Sequence, residues 1–351
     1  MKCIITGGAG FVGRRLAKEI LRRGELVSRS GVVKEVTDVL VTDVAPISED
    51  LPQELLEGDD RLKYVPEDIR SLDVLDHALD TLLAENDPDV SVFHLSSIMS
   101  GQGEEDFDLC LGVNVDGLRR LVDLFRFRGV IPKFVNASSI AAMPGLPVAN
   151  DLTKLCNATT YGMTKAFGEA FVNDCSRKGF IDGRTARLPT IIPRPGAPNK
   201  AATGAFSSII REPLHGRDYC CPLSLDTAQP LSGYRTLIDE LIALHDVSEA
   251  DILDTSQSAD GNQYALAGDR CVQLHATTAS LRDLQQALQS VAEKKGLPLA
   301  TVTNEVETDL NDLVVSMAPR TIDTTRAELL GLPTNPSFET IIEEYIEDYL
   351  N

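Results

Sequence analysis

A doubly wound α/β fold, a parallel sheet with helices on both faces, is the class this sequence predicts. Strand-like apolar runs alternate with helical patterns through the first half, which calls for parallel strands joined by crossover helices. A glycine-spaced turn joins the first strand to the first helix. The rhythm then breaks near Pro189, which sets off a smaller C-terminal lobe. With 351 residues the chain has the length of about two domains. Residues 1–190 are expected to form a dinucleotide-binding domain. Residues 191–351 are expected to form mainly a substrate-binding lobe, with some segments returning to the first domain.

The elements follow in order. Lys2–Thr6 reads as a strand and Arg14–Arg23 as a helix stopped by Gly24. Strands are expected at Asp38–Val44, Arg61–Val65 and Val90–Leu95, with a helix near Leu72–Glu85. Leu109–Arg128 reads as one long helix ended by Gly129. A strand at Lys133–Ser138, a helix at Tyr161–Lys178 and a strand at Gly183–Leu188 complete the alternation. Residues 189–232 carry seven prolines, at 189, 193, 195, 198, 213, 222 and 230, and read as loops and short helices. Helical periodicity returns at Leu281–Lys294 and Phe338–Leu350.

Composition narrows the function. The net charge of −20 repels polyanions, so nucleic acid is not an expected partner. The densest basic cluster, Arg14, Arg15, Lys18, Arg22 and Arg23, is interleaved with Leu16, Ala17, Ile20 and Leu21 and reads as a solvated helix face. No run approaches the ~18–20 apolar residues of a membrane span. The opening strand is expected to leave no room for a cleavable leader. Seven cysteines, an odd number with no Cys-x-x-Cys, suit a reducing, cytoplasmic compartment. The five scattered histidines give no metal-ligand spacing, so no metal is expected.

The turn Thr6-Gly7-Gly8-Ala9-Gly10-Phe11-Val12-Gly13 has glycines at 7, 10 and 13. Gly7 permits a tight turn, Gly10 lets backbone approach a pyrophosphate, and Gly13 lets the helix pack close to the sheet. The helix N-terminus offers unpaired N–H groups to the phosphates, and the pattern predicts a Rossmann unit. Asp43 ends the second strand of the alternation. A carboxylate there accepts hydrogen bonds from ribose hydroxyls and repels a 2′-phosphate, favouring NAD over NADP. Arg14 or Arg15 near that ribose would act the other way. Asp68 and Ile69 are candidates to take the adenine amine and pack on its face.

Tyr161-Gly162-Met163-Thr164-Lys165 places a phenol and an ammonium four residues apart on one helix face. An unperturbed phenol, with a pKa of about 10, is too weak a base at neutral pH. The Lys165 cation and an oxidised nicotinamide are expected to stabilise the phenolate. Ser138 and Ser139 end a strand at the carboxyl edge of the sheet, and Ser139 is preferred as the hydroxyl that orients substrate toward Tyr161. Asn114, polar in an apolar stretch, is expected to tie its helix to the strand beside the cofactor.

Together TGGAGFVG, Asp43, HLSS at 94–97, Asn114, Ser138-Ser139 and YGMTK resemble the extended short-chain dehydrogenase/reductase superfamily, the NAD-dependent epimerases and dehydratases, over residues 1–190. Ser100-Gly101, EDFD at 105–108, SRKGFIDGRTARLPTIIPRPGAPNKAA at 176–202, IIREPL at 209–214 and LVVSMAPRTIDTTRAELLGL near the end resemble its D-erythronate dehydrogenase-like branch. The resemblance implies NAD-dependent oxidation of a small sugar acid at C2. Tyr161 would be the proton acceptor, Lys165 a cofactor ligand, and Ser139 and Tyr161 substrate contacts. Leu95 and Pro189 are expected at the cofactor, and Ser100, Asn199 and Arg235 at the substrate, with Arg235 or Asn199 on its carboxylate. The superfamily often pairs two copies through the helices around 109–128 and 161–178, so a homodimer is expected. The alternative activity is nucleotide-sugar epimerisation with retained NAD; Ile140-Ala141 after Ser139 argues against dehydration.

Overall fold

The computed structural model describes residues 1–45, 58–83, 89–196, 202–254 and 266–350. In its first half, β1 (Lys2–Thr6) and α1 (Phe11–Arg23) precede the hairpin β2 (Glu25–Val27)–β3 (Val33–Glu35), then β4 (Asp38–Asp43), β5 (Leu62–Pro66), α2 (Asp73–Leu82) and β6 (Val90–His94). There follow α3 (Ser100–Glu105), α4 (Phe107–Leu111), a π-helical segment Gly112–Gly117, α5 (Leu118–Arg128), β7 (Lys133–Ser139), α6 (Thr160–Arg177) and β8 (Asp182–Leu188). The second half holds β9 (Thr190–Ile192), α7 (Ala205–Leu214), β10 (Tyr219–Cys221), β11 (Ala228–Gly233), α8 (Tyr234–Asp246), α9 (Glu249–Ile252), β12 (Cys271–Gln273) and β13 (Thr277–Ser280). It closes with α10 (Leu281–Lys295), β14 (Val302–Asn304), α11 (Thr308–Ser316), α12 (Thr325–Leu329) and α13 (Phe338–Tyr349).

Seven strands make one sheet in the order β12-β8-β7-β6-β1-β4-β5, and every pairing in it is parallel. All five residues of both β1 and β6 are buried, as strands covered on both faces must be. Alternate side chains serve opposite cores. Ile5, Val41 and Val135 pack with α1 and α8, while Ile4, Leu40 and Phe134 pack with α2, α5 and α6. From β1 the chain builds outward through β4 to β5, then crosses back to β6 on the other side. The carboxyl ends of β1 and β6 therefore flank the switch point, where an open α/β sheet forms its ligand crevice. A separate core joins α7, α10, α13 and the small β13-β11-β9 sheet.

Three expectations are corrected. Residues 189–232 contain three short strands besides the expected loops and short helices, because the strands at 190–192 and 219–221 hold no proline and of the seven only Pro213 falls inside the ten-residue α7. The expected continuous helix over 109–128 is α4, a π-helical segment and α5. A Cβ at Gly117 would lie 2.8 Å from Ile69 Cγ2, and the widened turns centre on Asn114. Helix α8 and strand β12 escaped the sequence reading. β12 has only three residues and is held in place by Arg326, whose guanidinium donates to the carbonyls of Cys271, Ile252 and Asp269.

Two imidazoles are locked neutral in this frame. His94 shares a hydrogen bond of 2.8 Å with Thr6 Oγ1, and burial depresses its pKa to about 3. His245 lies against Phe93, with Ser91 Oγ at 2.7 Å, and burial depresses its pKa to about 4. The unfolded chain takes up these protons near pH 6.5, so their contribution is complete above that pH and is lost as pH falls toward 4. Urea unfolding should show stability dropping by roughly 2 kcal/mol per imidazole between pH 6.5 and 4.5. His245→Gln should flatten that decline; an unchanged slope would contradict the assignment.

Candidate active site

At the switch point the chain leaves β1 through Gly7, whose φ of +71° suits glycine. A Cβ at Gly7 would lie 2.7 Å from Ser96 N, and one at Gly13 would lie 2.4 Å from Gly7 O. The turn and the first coil of α1 are thus pressed backbone to backbone. Gly10 starts α1 without a side-chain cap, and no acidic residue lies in the first turn, leaving that end open to an anion. Asp43 Oδ2 accepts from Ala9 N at 3.0 Å, so the carboxylate that faces the crevice also braces the loop. Arg15 points elsewhere: its guanidinium sits 4.5 Å from the Tyr234 ring centre and pairs with Asp348, and neither Arg14 nor Arg15 lines the crevice.

The crevice has a volume of about 600 Å³. Gly7, Gly10, Phe11, Val12, Gly13, Asp43, Asp68, Ile69, Leu95 and Pro189 all line it, as do Ser100, Ser139, Tyr161 and Lys165. Asp68 is bidentate with Arg70, which holds its carboxyl below the usual range. The glycine contacts, uncapped helix end and strand-end carboxylate fit a dinucleotide on this structure's own geometry.

Helix α6 delivers the reactive groups. Thr159 caps it by accepting from Gly162 N at 3.0 Å. A Cβ at Gly162 would lie 2.1 Å from Ala141 O, so glycine lets the helix start press against the turn after β7. That contact sets Tyr161 beside Ser139. Burial raises the Tyr161 pKa, while a hydrogen bond from Ser139 and the charge of Arg194 lower it. Lys165 is one helical turn on; its Nζ donates to Ala137 O at 2.8 Å and stands 5.4 Å from the Tyr161 ring centre. Burial lowers its pKa to about 8. The ammonium is thus hydrogen-bonded to the strand, and Arg194 adds a further positive charge that favours the phenolate.

The serines separate cleanly. Ser138 donates to Glu169 at 2.5 Å, and Glu169 in turn receives Arg187 at 2.6 and 3.0 Å. Arg187 continues to Asp151, whose carboxyl burial pushes up to about 7. Both serines line the crevice, but the Ser138 hydroxyl is committed to this buried network, which leaves the Ser139 hydroxyl for a ligand. Asn114 Oδ1 accepts from Ile98 N at 2.8 Å, and Nδ2 donates to Thr164 Oγ1 at 2.9 Å, clamping the segment after β6 to α6.

Of the substrate expectations, Asn199 lies outside the described residues, and one other does not stand as made. Arg235 is held by Asp348 and Glu347 at 2.8 and 2.9 Å in the junction of α8 with α13, and it does not line the crevice. It follows β11, in the first turn of α8. Sequence reading missed Arg194, which does line the crevice. Its signal was the Ile-Pro-Arg-Pro run directly after the strand pair β8 and β9. Among the described residues no group of His, Cys, Asp or Glu could hold a metal, and no helix is long and apolar enough to cross a membrane.

Comparison with known proteins agrees with this geometry. Residues 3–235 match the family described as NAD dependent epimerase/dehydratase family. D-erythronate dehydrogenase of Cupriavidus necator is 35% identical over 355 aligned residues, covering 99% of this chain and 98% of that protein. D-erythronate dehydrogenase of Haemophilus influenzae is 33% identical over 351, covering 99% of each. A nucleoside-diphosphate-sugar epimerase structure from Agrobacterium tumefaciens superposes with a TM-score of 0.80 at 30% identity, covering 100% of this chain and 94% of that one. The chain belongs to the NAD dependent epimerase/dehydratase family and is an oxidoreductase that works with a nicotinamide cofactor.

Ser139→Ala should lower kcat by about 10²-fold with little change in melting temperature. Ser138→Ala should instead lower stability by about 1–3 kcal/mol through the lost hydrogen bond to the buried Glu169 carboxylate, with kcat within a few-fold of wild type. Steady-state kinetics beside thermal melts would check both, and equal kinetic losses would refute the division of labour.

Proposed function

We propose that this protein oxidises the C2 hydroxyl of a small sugar acid, D-erythronate or a close analogue, to the 2-oxo acid with NAD. The observation that carries the reading is that Ser139, Tyr161 and Lys165 line one crevice with the glycine turn. The full-length likeness to two D-erythronate dehydrogenases supports the substrate class. When bound, the oxidised nicotinamide is the acceptor for the hydride leaving C2. Gly7, Gly10, Phe11, Val12 and Gly13 would hold the pyrophosphate, Asp43 the adenosine ribose, and Asp68 and Ile69 the adenine. Leu95, Pro189, Tyr161 and Lys165 would line the nicotinamide end, with Asn114 fixing the segment beside it.

Tyr161, as phenolate, takes the hydroxyl proton from the substrate. Ser139 donates to the oxygen that carries developing charge and holds the hydroxyl in line. Lys165 keeps a cation close to the phenol without bonding it, and Ala137 O fixes its position. Asp43 disfavours a 2′-phosphate, so NAD is the cofactor of the reading. We further infer a homodimer in the cytoplasm. Phe127 at the end of α5, and the stacked Phe167 and Phe171 of α6, leave apolar surface on the two helices that would pair.

Incubation with D-erythronate and NAD should accumulate NADH in step with substrate consumed, and NADP should give a kcat/KM at least tenfold lower. Tyr161→Phe should lower kcat by about 10³-fold. Substrate conversion without net NADH would point to the epimerase reading, and full activity in Tyr161→Phe would remove the proposed base.

A further inference from the structure

We propose that Arg194 is the substrate-carboxylate anchor, and that Gln229 in the same lining gauges a further hydroxyl of the acid; this rests on the sugar-acid reading above. Arg194 is fixed from three directions. Its backbone N–H donates to Ser207 Oγ at 3.1 Å, its carbonyl accepts from Arg211 Nη1 at 2.8 Å, and its Nε donates to Ile191 O at 3.1 Å. Helix α7 and strand β9 thus hold the stem. Among the described residues no carboxylate pairs with it and its terminal nitrogens have no protein partner, although Arg194 lines the crevice within electrostatic reach of Tyr161.

The other cations lining the crevice are committed elsewhere. Arg70 is bidentate with Asp68 at the expected adenine end, and Lys165 donates to Ala137 O. In a chain of net charge −20, a guanidinium in a cleft with no carboxylate partner among the described residues is what a monoanionic substrate requires. Its two terminal amino groups match a carboxylate fork. C2 is bonded directly to the carboxylate carbon, so an anchor in the same lining as Tyr161 sets the C2 hydroxyl, and not a more distant one, at the phenol. Gln229 adds an acceptor. It is buried, its Nε2 donates to Val314 O at 3.0 Å, and its Oε1 has no partner. An unmet buried acceptor in the lining favours a ligand hydroxyl and penalises a deoxy analogue.

The arrangement also links recognition to chemistry. The guanidinium that holds the carboxylate also stabilises the Tyr161 phenolate, so its loss should move the acidic limb of kcat/KM to higher pH as well as weaken binding.

The test is titration of D-erythronate into NADH-loaded protein, where turnover cannot occur, together with kinetics in NAD. Arg194→Gln should raise the dissociation constant and KM at least 30-fold while NADH affinity stays within twofold, and Arg194→Lys should recover part of the loss. Arg235→Gln should leave substrate binding at the wild-type value. Gln229→Leu should lose discrimination between D-erythronate and 3-deoxy or 4-deoxy analogues. Wild-type binding and KM in Arg194→Gln would overturn the anchor while the sugar-acid oxidation stands. Arg194-dependent carboxylate binding without NADH production would overturn the oxidation while the anchor stands. No binding and no turnover in wild-type protein would overturn both.

Discussion

Burial of one phenol is the constraint on which the rest of the site depends. Tyr161 must lie in a dry cleft to be aligned with substrate and cofactor, and dryness alone makes it a worse base. Everything packed around it answers that conflict. Ser139 gives a hydrogen bond, Arg194 gives a charge, and Lys165 keeps a second cation near the ring. The oxidised cofactor would supply a third positive charge only when it is bound. On that account the base becomes competent when the dinucleotide arrives, which couples proton abstraction to the presence of the acceptor.

The sheet makes this possible by placing three independent segments at one edge. β1 ends in the glycine turn, β7 ends in Ser139, and α6 starts where Gly162 lets it touch the turn after β7. The buried Ser138–Glu169–Arg187–Asp151 chain pins β7, α6 and β8 below the surface. Asn114 does the same between the segment after β6 and α6. Breaking a buried ion pair strands its partner and is expected to be severe, so this network serves position more than net stability.

Legibility followed locality. The glycine turn, the strand-end Asp43 and the Tyr161–Lys165 pair are short-range patterns, and the sequence displayed them with their elements. The choice between Ser138 and Ser139 was readable in outline, because adjacent strand residues face opposite sides. What was lost depends on long-range packing. β12 adds a strand from 271–273 beside β8, with no periodicity in three residues to announce it. Arg235 looked available because its partners Glu347 and Asp348 lie more than a hundred residues on. Arg194 was hidden among prolines that read as loop, though β9 and α7 hold it rigidly. The π-helical turns at Asn114 were invisible to a count that assumes 3.6 residues per turn.

Direct observation of the phenol tests the central claim best. Tyrosinate absorbance, recorded as the difference between wild type and Tyr161→Phe across a pH titration, isolates one of the seven tyrosines. Without cofactor that tyrosine should ionise above the ordinary phenol value, and saturation with NAD should bring its ionisation down by more than one pH unit. An ionisation that NAD leaves in place would contradict the account.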